Sequence, residues 1–256
     1  GSMLGDKRRQ NSFRAQAVTR AAREIAAART ARPAMRLLLA HGGGGAAHFP
    51  ARRYRTREGL PGGGGWEGFC ATRRGVMTMN RRVLEALARG GLHPVLLSPS
   101  AQALADRGRP ARWDLTVLRH ALAAGQIPLI HGDAVLDARL GFTILSTEEM
   151  FVHLAKALRP TRIVLACDVE GVYLDPGDAV PLPRIDRRTI AAVRRTLARA
   201  GSGGAADVTG RMAAKVDRLY ALAARPGGPE VRVVSGLKPG VLPAALAGED
   251  VGTRIG

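Results

Sequence analysis

The sequence predicts an α/β protein, built as a three-layer α-β-α sandwich with a largely parallel central sheet. Short apolar runs of strand length alternate along the chain with amphipathic stretches long enough to form helices. Parallel strands need a long crossover, usually a helix, so this alternation favours parallel pairing with helices on both faces. With 256 residues and 46% hydrophobic content, the chain can bury a full core, as one large domain or as two packed lobes.

The elements of the first half follow helical and strand periodicities that glycine interrupts. Residues 13–31 carry apolar side chains at helical spacing, and residues 35–40 form a short buried strand that ends at four glycines. The glycine-rich stretch 59–69 indicates a flexible surface loop that is able to act as a lid. An amphipathic helix closed by glycine follows over 72–91, and then a strand over 93–99.

The second half repeats this alternation of helix and strand. A helix over 113–126 leads to a strand over 127–133 and a hairpin turn over 137–142. Ser146 and Thr147 are both suited to cap the next helix, since glutamates occupy its first turn. The remaining elements are a strand over 162–169, helices over 188–200 and 208–225, a loop over 200–207 and a last internal strand over 230–236.

The formal net charge of +18 comes almost entirely from arginine, which supplies 35 of the 39 basic residues. Nucleic-acid-binding proteins concentrate such charge and interleave aromatic rings for stacking. Here the arginines are scattered and aromatic residues make up 4% of the chain, so we expect no nucleic-acid partner. In a chain that uses arginine so widely, a lysine marks a position that needs a compact ammonium group. The four lysines are Lys7, Lys156, Lys215 and Lys238.

Cysteine usage and hydropathy indicate a cytoplasmic protein without a membrane partner. Cys70 and Cys167 lie far apart with no C-x-x-C spacing, so we expect two reduced, buried thiols and no protein-bound metal site. No apolar run approaches the roughly 18 residues that a membrane-spanning helix needs. The charged segment GDKRRQ near the start is unlike a signal peptide.

A run of four glycines between two histidines, HGGGGAAH at 41–48, is the first candidate functional motif. Such a run indicates unusual backbone angles or the close approach of a ligand, and a glycine turn after a strand lets backbone N–H groups hold a phosphate. It matches neither G-x-x-x-x-G-K-[ST] nor G-x-G-x-x-G, so a plain surface turn is an equal alternative at this point. We interpret His41 as structural and His48 as functional, because the glycines before His48 leave it no packing role.

Five stretches taken together carry a resemblance to a known family. The motifs are HGGGGAAH (41–48), HGDAVLD (131–137), GFTILSTEE (141–149), CDVEGVYLDP (167–176) and DVTGRMAAKV (207–216). Their order and spacing resemble the amino acid kinase superfamily and, within it, the isopentenyl phosphate kinases. The resemblance implies the amino acid kinase fold in one domain over 1–256. In it, an acceptor-substrate lobe covers about 1–155 and an ATP-binding lobe about 156–256.

The resemblance also implies the reaction and its residues. ATP would phosphorylate isopentenyl phosphate, or a close alkyl phosphate, to the diphosphate, with Mg²⁺ held mainly by ATP and the protein a homodimer. The implied catalytic residues are His48, Lys7 and Lys215; the substrate-binding residues are Gly43, His48, Thr147 and Glu148; the ATP-binding residues are Gly1, Ser2, Gly44, Asp168, Tyr173, Gly210, Arg211 and Lys215. Gly1 and Ser2 fall where the family's K-[LI]-G-G-S turn ends, so we expect that strand and its lysine to lie outside this sequence.

Several positions depart from the family pattern. Gly45-Ala46-Ala47 replaces Ser-Phe-Gly, Thr147 replaces glycine, Glu148 replaces aspartate and Arg211 replaces glycine. These changes leave other hypotheses open: a kinase of another small phosphate or phosphonate such as fosfomycin, a non-catalytic nucleotide-binding paralogue, or a basic nucleic-acid-binding protein. At single positions, Asp168 and Asp207 are also suited to capping turns or helices, and Lys215 to a solvated surface.

Overall fold

The secondary structure alternates helix and strand along almost the whole chain. The computed structural model describes residues 2–6, 8–175, 177–201 and 209–256, without the side chains of residues 2, 197–201 and 209–215. The helices are α1 (Ala15–Ala31), α2 (Gly44–Arg53), α3 (Gly59–Gly62), α4 (Gly65–Arg89), α5 (Pro99–Gln102), α6 (Thr116–Ala123), α7 (Thr147–Leu158), α8 (Ile190–Gly201), α9 (Thr209–Ala223) and α10 (Val241–Ala247), with 3₁₀ helices at Ser2–Leu4 and Thr56–Glu58. The strands are β1 (Leu39–His41), β2 (Val95–Leu96), β3 (Ala103–Asp106), β4 (Arg109–Trp113), β5 (Pro128–His131), β6 (Asp133–Asp137), β7 (Gly141–Leu145), β8 (Arg162–Cys167), β9 (Arg184–Ile185), β10 (Glu230–Ser235) and β11 (Thr253–Ile255).

The chain divides into two compact units, Gly1–Met150 and Phe151–Gly256. The first unit holds two sheets, with strand orders β1-β5-β2 and β4-β3-β6-β7. The three strands of the first sheet are all parallel, and His41 pairs with His131 at its carboxyl edge. The second sheet is two hairpins joined by a short parallel contact between β3 and β6.

Helices α1 and α4 supply much of the first unit's core. Long amphipathic helices bury one apolar stripe, and the buried positions of α1 and α4 recur at that spacing. The buried side chains on α1, α4 and β5 include Val18, Ala22, Ile25, Val76, Met79, Val83, Ala86, Leu129 and Ile130.

The second unit is one sheet of order β8-β10-β11-β9 with its own apolar core. Strands β8 and β10 pair in parallel over six residues, and β11 runs antiparallel to β10. The core includes Ile163, Val193, Leu219, Val231 and Ile255. Within the described ranges, parallel pairs (β1–β5, β2–β5, β8–β10, β9–β11 and β3–β6) outnumber antiparallel ones, which confirms the predicted α/β class.

Three local predictions in the first half are wrong. The strand predicted over 35–40 occupies only Leu39–His41, and helix α2 begins inside the glycine run that was expected to be a loop. The expected lid over 59–69 is instead α3 and the first turn of α4. Packing overrides low helix propensity there: a side chain at Gly68 would meet the Tyr54 ring, and Trp66 lies 5.3 Å from Phe142 between ring centroids.

Other differences concern strands and cysteines. The hairpin β3–β4 and the short strand β9 were not predicted, and β11 follows the strand expected to be last. The hairpin turn over 137–142 is confirmed by the β6–β7 pair. Cys70 is exposed and Cys167 half-buried, so the prediction of two buried thiols is wrong, although neither forms a disulfide. No helix among the described residues is long and apolar enough to cross a bilayer.

Candidate active site

The candidate site of the first unit lies at the carboxyl edge of its parallel sheet, where ligands commonly bind in α/β proteins. The carbonyl oxygen of His41, the last residue of β1, accepts two hydrogen bonds. One comes from the Gly132 N–H at 2.8 Å and the other from the Thr147 hydroxyl at 3.2 Å. The end of β1, the turn after β5 and the start of α7 are therefore tied to a single atom.

Helix α2 presents its N-terminus at this edge. Gly43 is the N-cap, and the first helical bond runs from the Ala47 N–H to the Gly43 carbonyl at 3.2 Å. The N–H groups of Gly44, Gly45 and Ala46 therefore have no partner within the helix. Together with the helix dipole, three such donors favour a bound anion, and a phosphate satisfies them well.

Glycine is required at the start of α2 for two physical reasons. Gly44 has φ +57°, in the left-handed region that side chains rarely adopt. A Cβ at Gly44 would also lie 2.5 Å from the Met79 methyl carbon, and one at Gly45 would meet the Arg9 carbonyl oxygen. The glycine run thus permits close packing beneath the helix start, where the first N–H groups have no partner within the helix.

His48 lies one helical turn after Gly44 and is half-buried. Side chains four residues apart share one face of a helix and lean towards its N-terminus. The imidazole of His48 is therefore on the same face as Gly44 and leans towards the N–H groups at the helix start. This is the geometry of a side chain that adds a hydrogen bond to an anion held by a helix start.

Helix α4 packs directly against the start of α2. Gly75 packs so closely on α2 that a Cβ there would lie 2.9 Å from Ala47 Cα and would also meet the Ala46 carbonyl oxygen. One turn later Met79 is fully buried beneath Gly44, and Asn80 contacts His41 through Nε2 and Oδ1 at 3.0 Å. The position of the glycine run therefore depends on α4.

His41 is a buried neutral histidine. Burial lowers its pKa to about 4, and the contacts with Asn80 and the Gly42 carbonyl oppose the shift only in part. Nδ1 lies 3.0 Å from the Gly42 carbonyl oxygen. Both ring nitrogens face oxygen acceptors, so the neutral ring, which has one N–H, donates either to the Gly42 carbonyl or to Asn80 Oδ1. Burial also lowers the pKa of His131, whose ring centroid is 5.6 Å from that of His41.

Asp133 is the site residue that the sequence analysis did not single out. Its Oδ2 accepts hydrogen bonds from the Ser100 N–H at 3.1 Å, the Ser98 hydroxyl at 3.3 Å and the Arg73 guanidinium at 3.3 Å. Its Oδ1 is buried and has no hydrogen-bond partner among the described residues. The only signal in the sequence was the HGD motif at 131–133, which gives no indication of Arg73 or Ser98.

Thr147 and Glu148 occupy the first turn of α7, and both are half-buried. Through its bond to His41, the Thr147 side chain lies at the same sheet edge as Gly43 and Gly44. The structure thus brings Gly43, Gly44 and Thr147 to one edge of the first unit. Glu148 follows Thr147 directly.

In the second unit, Asp168 directly follows β8 at the carboxyl end of the parallel β8–β10 pair, and it is exposed. The Gly236 N–H donates to the Cys167 carbonyl oxygen at 2.8 Å, so the loop after β10 begins at the same edge. Tyr173 is half-buried next to Val172, whose N–H donates to the Thr253 hydroxyl at 2.8 Å.

The remaining predicted residues are described in part or not at all. Gly210, Arg211 and Lys215 lie in α9, so Gly210 is in a helix rather than in the expected turn, but their side chains lie outside the description. Gly1, Lys7, the side chain of Ser2 and Asp207 also lie outside the described residues. In the described ranges, no three His, Cys, Asp or Glu side chains form a group that could hold a metal ion.

Comparison with known proteins gives consistent results. The model of the amino acid kinase family matches residues 1–235. The isopentenyl phosphate kinase of Methanothermobacter thermautotrophicus is 32% identical over 234 residues, which cover 86% of this chain and 84% of that relative. The corresponding enzyme of Methanocaldococcus jannaschii is 30% identical, with 100% and 95% of the two chains covered. A crystal structure of an isopentenyl phosphate kinase has a TM-score of 0.80 at 28% identity and covers 100% of this chain and 96% of that chain.

Proposed function

This chain belongs to the amino acid kinase family and, within it, to the isopentenyl phosphate kinases; from that premise we propose that it transfers the terminal phosphoryl group of ATP to isopentenyl phosphate. The family assignment confirms the resemblance drawn from the five motifs and the amino acid kinase fold expected from it. An oxygen of the acceptor phosphate forms a bond to the γ-phosphorus of ATP, and the bond from that phosphorus to the β-phosphate oxygen breaks. The products are isopentenyl diphosphate and ADP.

The observation that carries the proposal is the N-terminus of α2, whose first three N–H groups have no partner within the helix, with His48 one turn behind it. The acceptor phosphate binds the N–H groups of Gly44, Gly45 and Ala46, where the helix dipole favours its negative charge. His48 donates a further hydrogen bond to a phosphate oxygen, which distinguishes a phosphate acceptor from a carboxylate. Phosphoryl transfer depends mainly on holding two anionic groups in line, and a fixed set of donors does this without reorganisation.

Thr147 and Glu148 complete the acceptor side of the proposal. Thr147 binds the His41 carbonyl and so holds the start of α7 beside the glycine run. Glu148, one residue further on, is the carboxylate at the position where the family pattern has an aspartate, and by the same pattern Lys7 and Lys215 neutralise charge on the transferred phosphoryl group. Gly43, as the N-cap, sets the direction in which the α2 N–H groups point.

We assign nucleotide binding to the second unit and to the start of the chain. Asp168 and Tyr173 follow β8, and Gly210, Arg211 and Lys215 lie in the first half of α9. With Gly1, Ser2 and Gly44, these are the positions that the family pattern assigns to ATP. An exposed carboxylate at the end of a parallel strand is suited to a ribose hydroxyl, and cations near a helix start are suited to phosphates.

The proposal includes Mg²⁺, a homodimer and the cytoplasm, as the family implies. By the family pattern, Mg²⁺ would be coordinated mainly by the phosphates of ATP. When bound, Mg²⁺ neutralises charge on the β- and γ-phosphates. Sedimentation equilibrium tests the homodimer, and cell fractionation tests the location.

The direct test is ADP release from Mg-ATP with isopentenyl phosphate, dimethylallyl phosphate and fosfomycin offered separately. The chain is assayed alone and with the family's K-x-G-G-S segment added at its N-terminus. We expect turnover of the isoprenoid phosphates, and a loss of about 100-fold in kcat/KM in His48→Ala, the size of effect seen when one transition-state donor is removed. His93→Ala, at an exposed histidine, is the matched control. If both forms bind ATP and neither phosphorylates an isoprenoid phosphate, the proposal is wrong.

A further inference from the structure

We propose that Arg73 is a further acceptor-binding residue, a guanidinium that is held by the buried carboxylate of Asp133 and binds the phosphate of the acceptor. The inference rests on the function proposed above and names a residue of the same site. Arg73 lies on α4, which also carries Gly75, Met79 and Asn80 under the glycine run. Neither the motifs nor the lysine argument pointed to it.

The first observation is that a buried carboxylate, Asp133, holds Arg73 in place. The Asp133 side chain is fully buried, and Arg73 donates from Nη1 to its Oδ2 at 3.3 Å. A buried carboxylate is costly unless it is paired and hydrogen-bonded, so Asp133 holds the guanidinium strongly. The Ser98 hydroxyl and the Ser100 N–H fix the same oxygen, which leaves the carboxylate little freedom to turn.

The second observation is the location of the Arg73–Asp133 pair near the start of α2. Asp133 follows Gly132, whose N–H donates to the His41 carbonyl two residues before the α2 N-cap. On α4, Gly75 lies two residues after Arg73 and packs against Ala46, which carries one of the N–H groups without a partner within α2. Both ends of the Arg73–Asp133 pair are therefore tied to segments that adjoin the start of α2.

The third observation is the unused hydrogen-bonding capacity of Arg73. A guanidinium has five N–H donors, and in the part of the chain that the structure describes only Nη1 has a partner, Asp133. The side chain is 26% exposed, so part of it remains open to an incoming molecule while Asp133 is closed off. A planar guanidinium that a carboxylate fixes on one side can bind two phosphate oxygens through two parallel N–H groups.

The fourth observation concerns charge. The Asp133 carboxylate alone would repel a phosphate at this edge of the sheet. Arg73 is the cation paired with that carboxylate, and burial lowers the pKa of the neighbouring His131, which disfavours a positive charge on its ring. The acceptor phosphate is thus bound from two directions, by the α2 N–H groups with His48 and by the Arg73 guanidinium.

The test compares Arg73→Gln and Arg73→Lys with Arg74→Gln, a matched control at the next, exposed arginine of the same helix. In steady-state assays we expect Arg73→Gln to raise the KM for isopentenyl phosphate by about 10-fold or more, the loss expected for one charge-assisted hydrogen bond, while the KM for ATP is unchanged. Arg73→Lys recovers part of the loss, and Arg74→Gln behaves as the parent chain. Calorimetric titration with isopentenyl phosphate, without ATP, gives the same order of affinities.

A second variant separates binding from folding, because Arg73→Gln leaves the Asp133 carboxylate unpaired. Arg73→Gln/Asp133→Asn removes both charges, and we expect it to restore the thermal midpoint while the KM for the acceptor stays high. The inference is overturned if the double variant recovers the parent KM, or if Arg73→Gln and Arg74→Gln have equal KM values. Failure of the parent chain to phosphorylate isopentenyl phosphate is a different outcome, and it overturns the proposed function instead.

Discussion

Ser146 and Glu149 cap each other at the start of α7. The Ser146 N–H donates to Glu149 Oε2 at 2.8 Å, and the Glu149 N–H lies 3.3 Å from the Ser146 hydroxyl oxygen that accepts its bond. This reciprocal pair is a capping box, and it satisfies two backbone donors that the helix leaves without partners. Glu149 also accepts a hydrogen bond from Arg57 at 2.5 Å. The pair fixes the helix that carries Thr147 and Glu148.

Loss of the cap should lower stability by a predictable amount. We expect Ser146→Ala to reduce the free energy of unfolding by about 1 kcal/mol, the usual cost of losing an N-cap side chain. Urea denaturation of Ser146→Ala, Glu149→Gln and the double variant measures the coupling between the two side chains. Additive effects would show that the reciprocal bonds do not act together.

Gly75 should be intolerant of even one added carbon. In Gly75→Ala the new Cβ meets the Ala46 carbonyl oxygen and lies 2.9 Å from Ala47 Cα, so α2 must move away from α4. Overpacking of this kind costs about 1–3 kcal/mol, and here it also displaces the N–H groups proposed to bind the acceptor. We therefore expect a lower thermal midpoint together with a raised KM for isopentenyl phosphate. Gly177→Ala, where a Cβ has no neighbour within 4 Å, is the control and should leave both quantities unchanged.

His41 should make the protein less stable in moderately acidic solution. Its pKa is about 4 in the folded protein and about 6.5 when exposed, so between these values the unfolded chain binds a proton that the folded chain does not. Stability therefore falls as pH drops from about 6.5 to 4, by about 3 kcal/mol in total. His41→Gln keeps an amide near Asn80 and does not titrate, so its unfolding free energy should vary less over this range. The exposed His93→Gln should keep the parent profile, and a His41→Gln profile as steep as the parent's would contradict the assignment.

The charge of Asp137 should affect stability at a lower pH than His41 does. Burial alone would raise its pKa, but backbone N–H donors of Gly108, Leu140, Arg139 and Arg107 outweigh burial and lower the pKa below its usual value. The carboxylate therefore stabilises the fold above about pH 4, and that stabilisation is lost as pH falls further, through the folded-state pKa.

We expect Asp137→Asn to lower the free energy of unfolding by about 2–4 kcal/mol at pH 6. The charged carboxylate that accepts the backbone N–H bonds is then replaced by a neutral amide, whose single oxygen is a weaker acceptor. The difference from the parent chain should shrink below about pH 4. Asp106→Asn, at an exposed carboxylate of β3, the strand that pairs with β6, is the control. A difference that stays constant from pH 6 to pH 3 would refute the role of the charge.

Some of this protein could be derived from the sequence because the relevant physics is local. Helical periodicity identified α1, α6 and α8 to within a few residues, since an amphipathic stripe is visible in the residues themselves. The glycine run and His48 stood out for the same reason: few chains place four glycines before a histidine without a backbone requirement. The five motifs, in order, then led to the family.

The tertiary structure decided the rest, because those features depend on partners far apart in the chain. Helix α2 begins within the glycines only because Met79, Gly75 and the Arg9 carbonyl pack around them, and helix propensity gave no sign of this. The β3–β4 hairpin is local, but it escaped detection because its second strand, RPARW, is polar and contains a proline, both unusual in strands. Asp133 and Arg73 are 60 residues apart, and only the fold brings a carboxylate with no recognisable motif partner to the guanidinium that we propose binds the acceptor. The sequence by itself determined the fold class and the family and singled out the glycine run; the tertiary structure decided that this run starts a helix, how the helix start is supported and which buried carboxylate adjoins it.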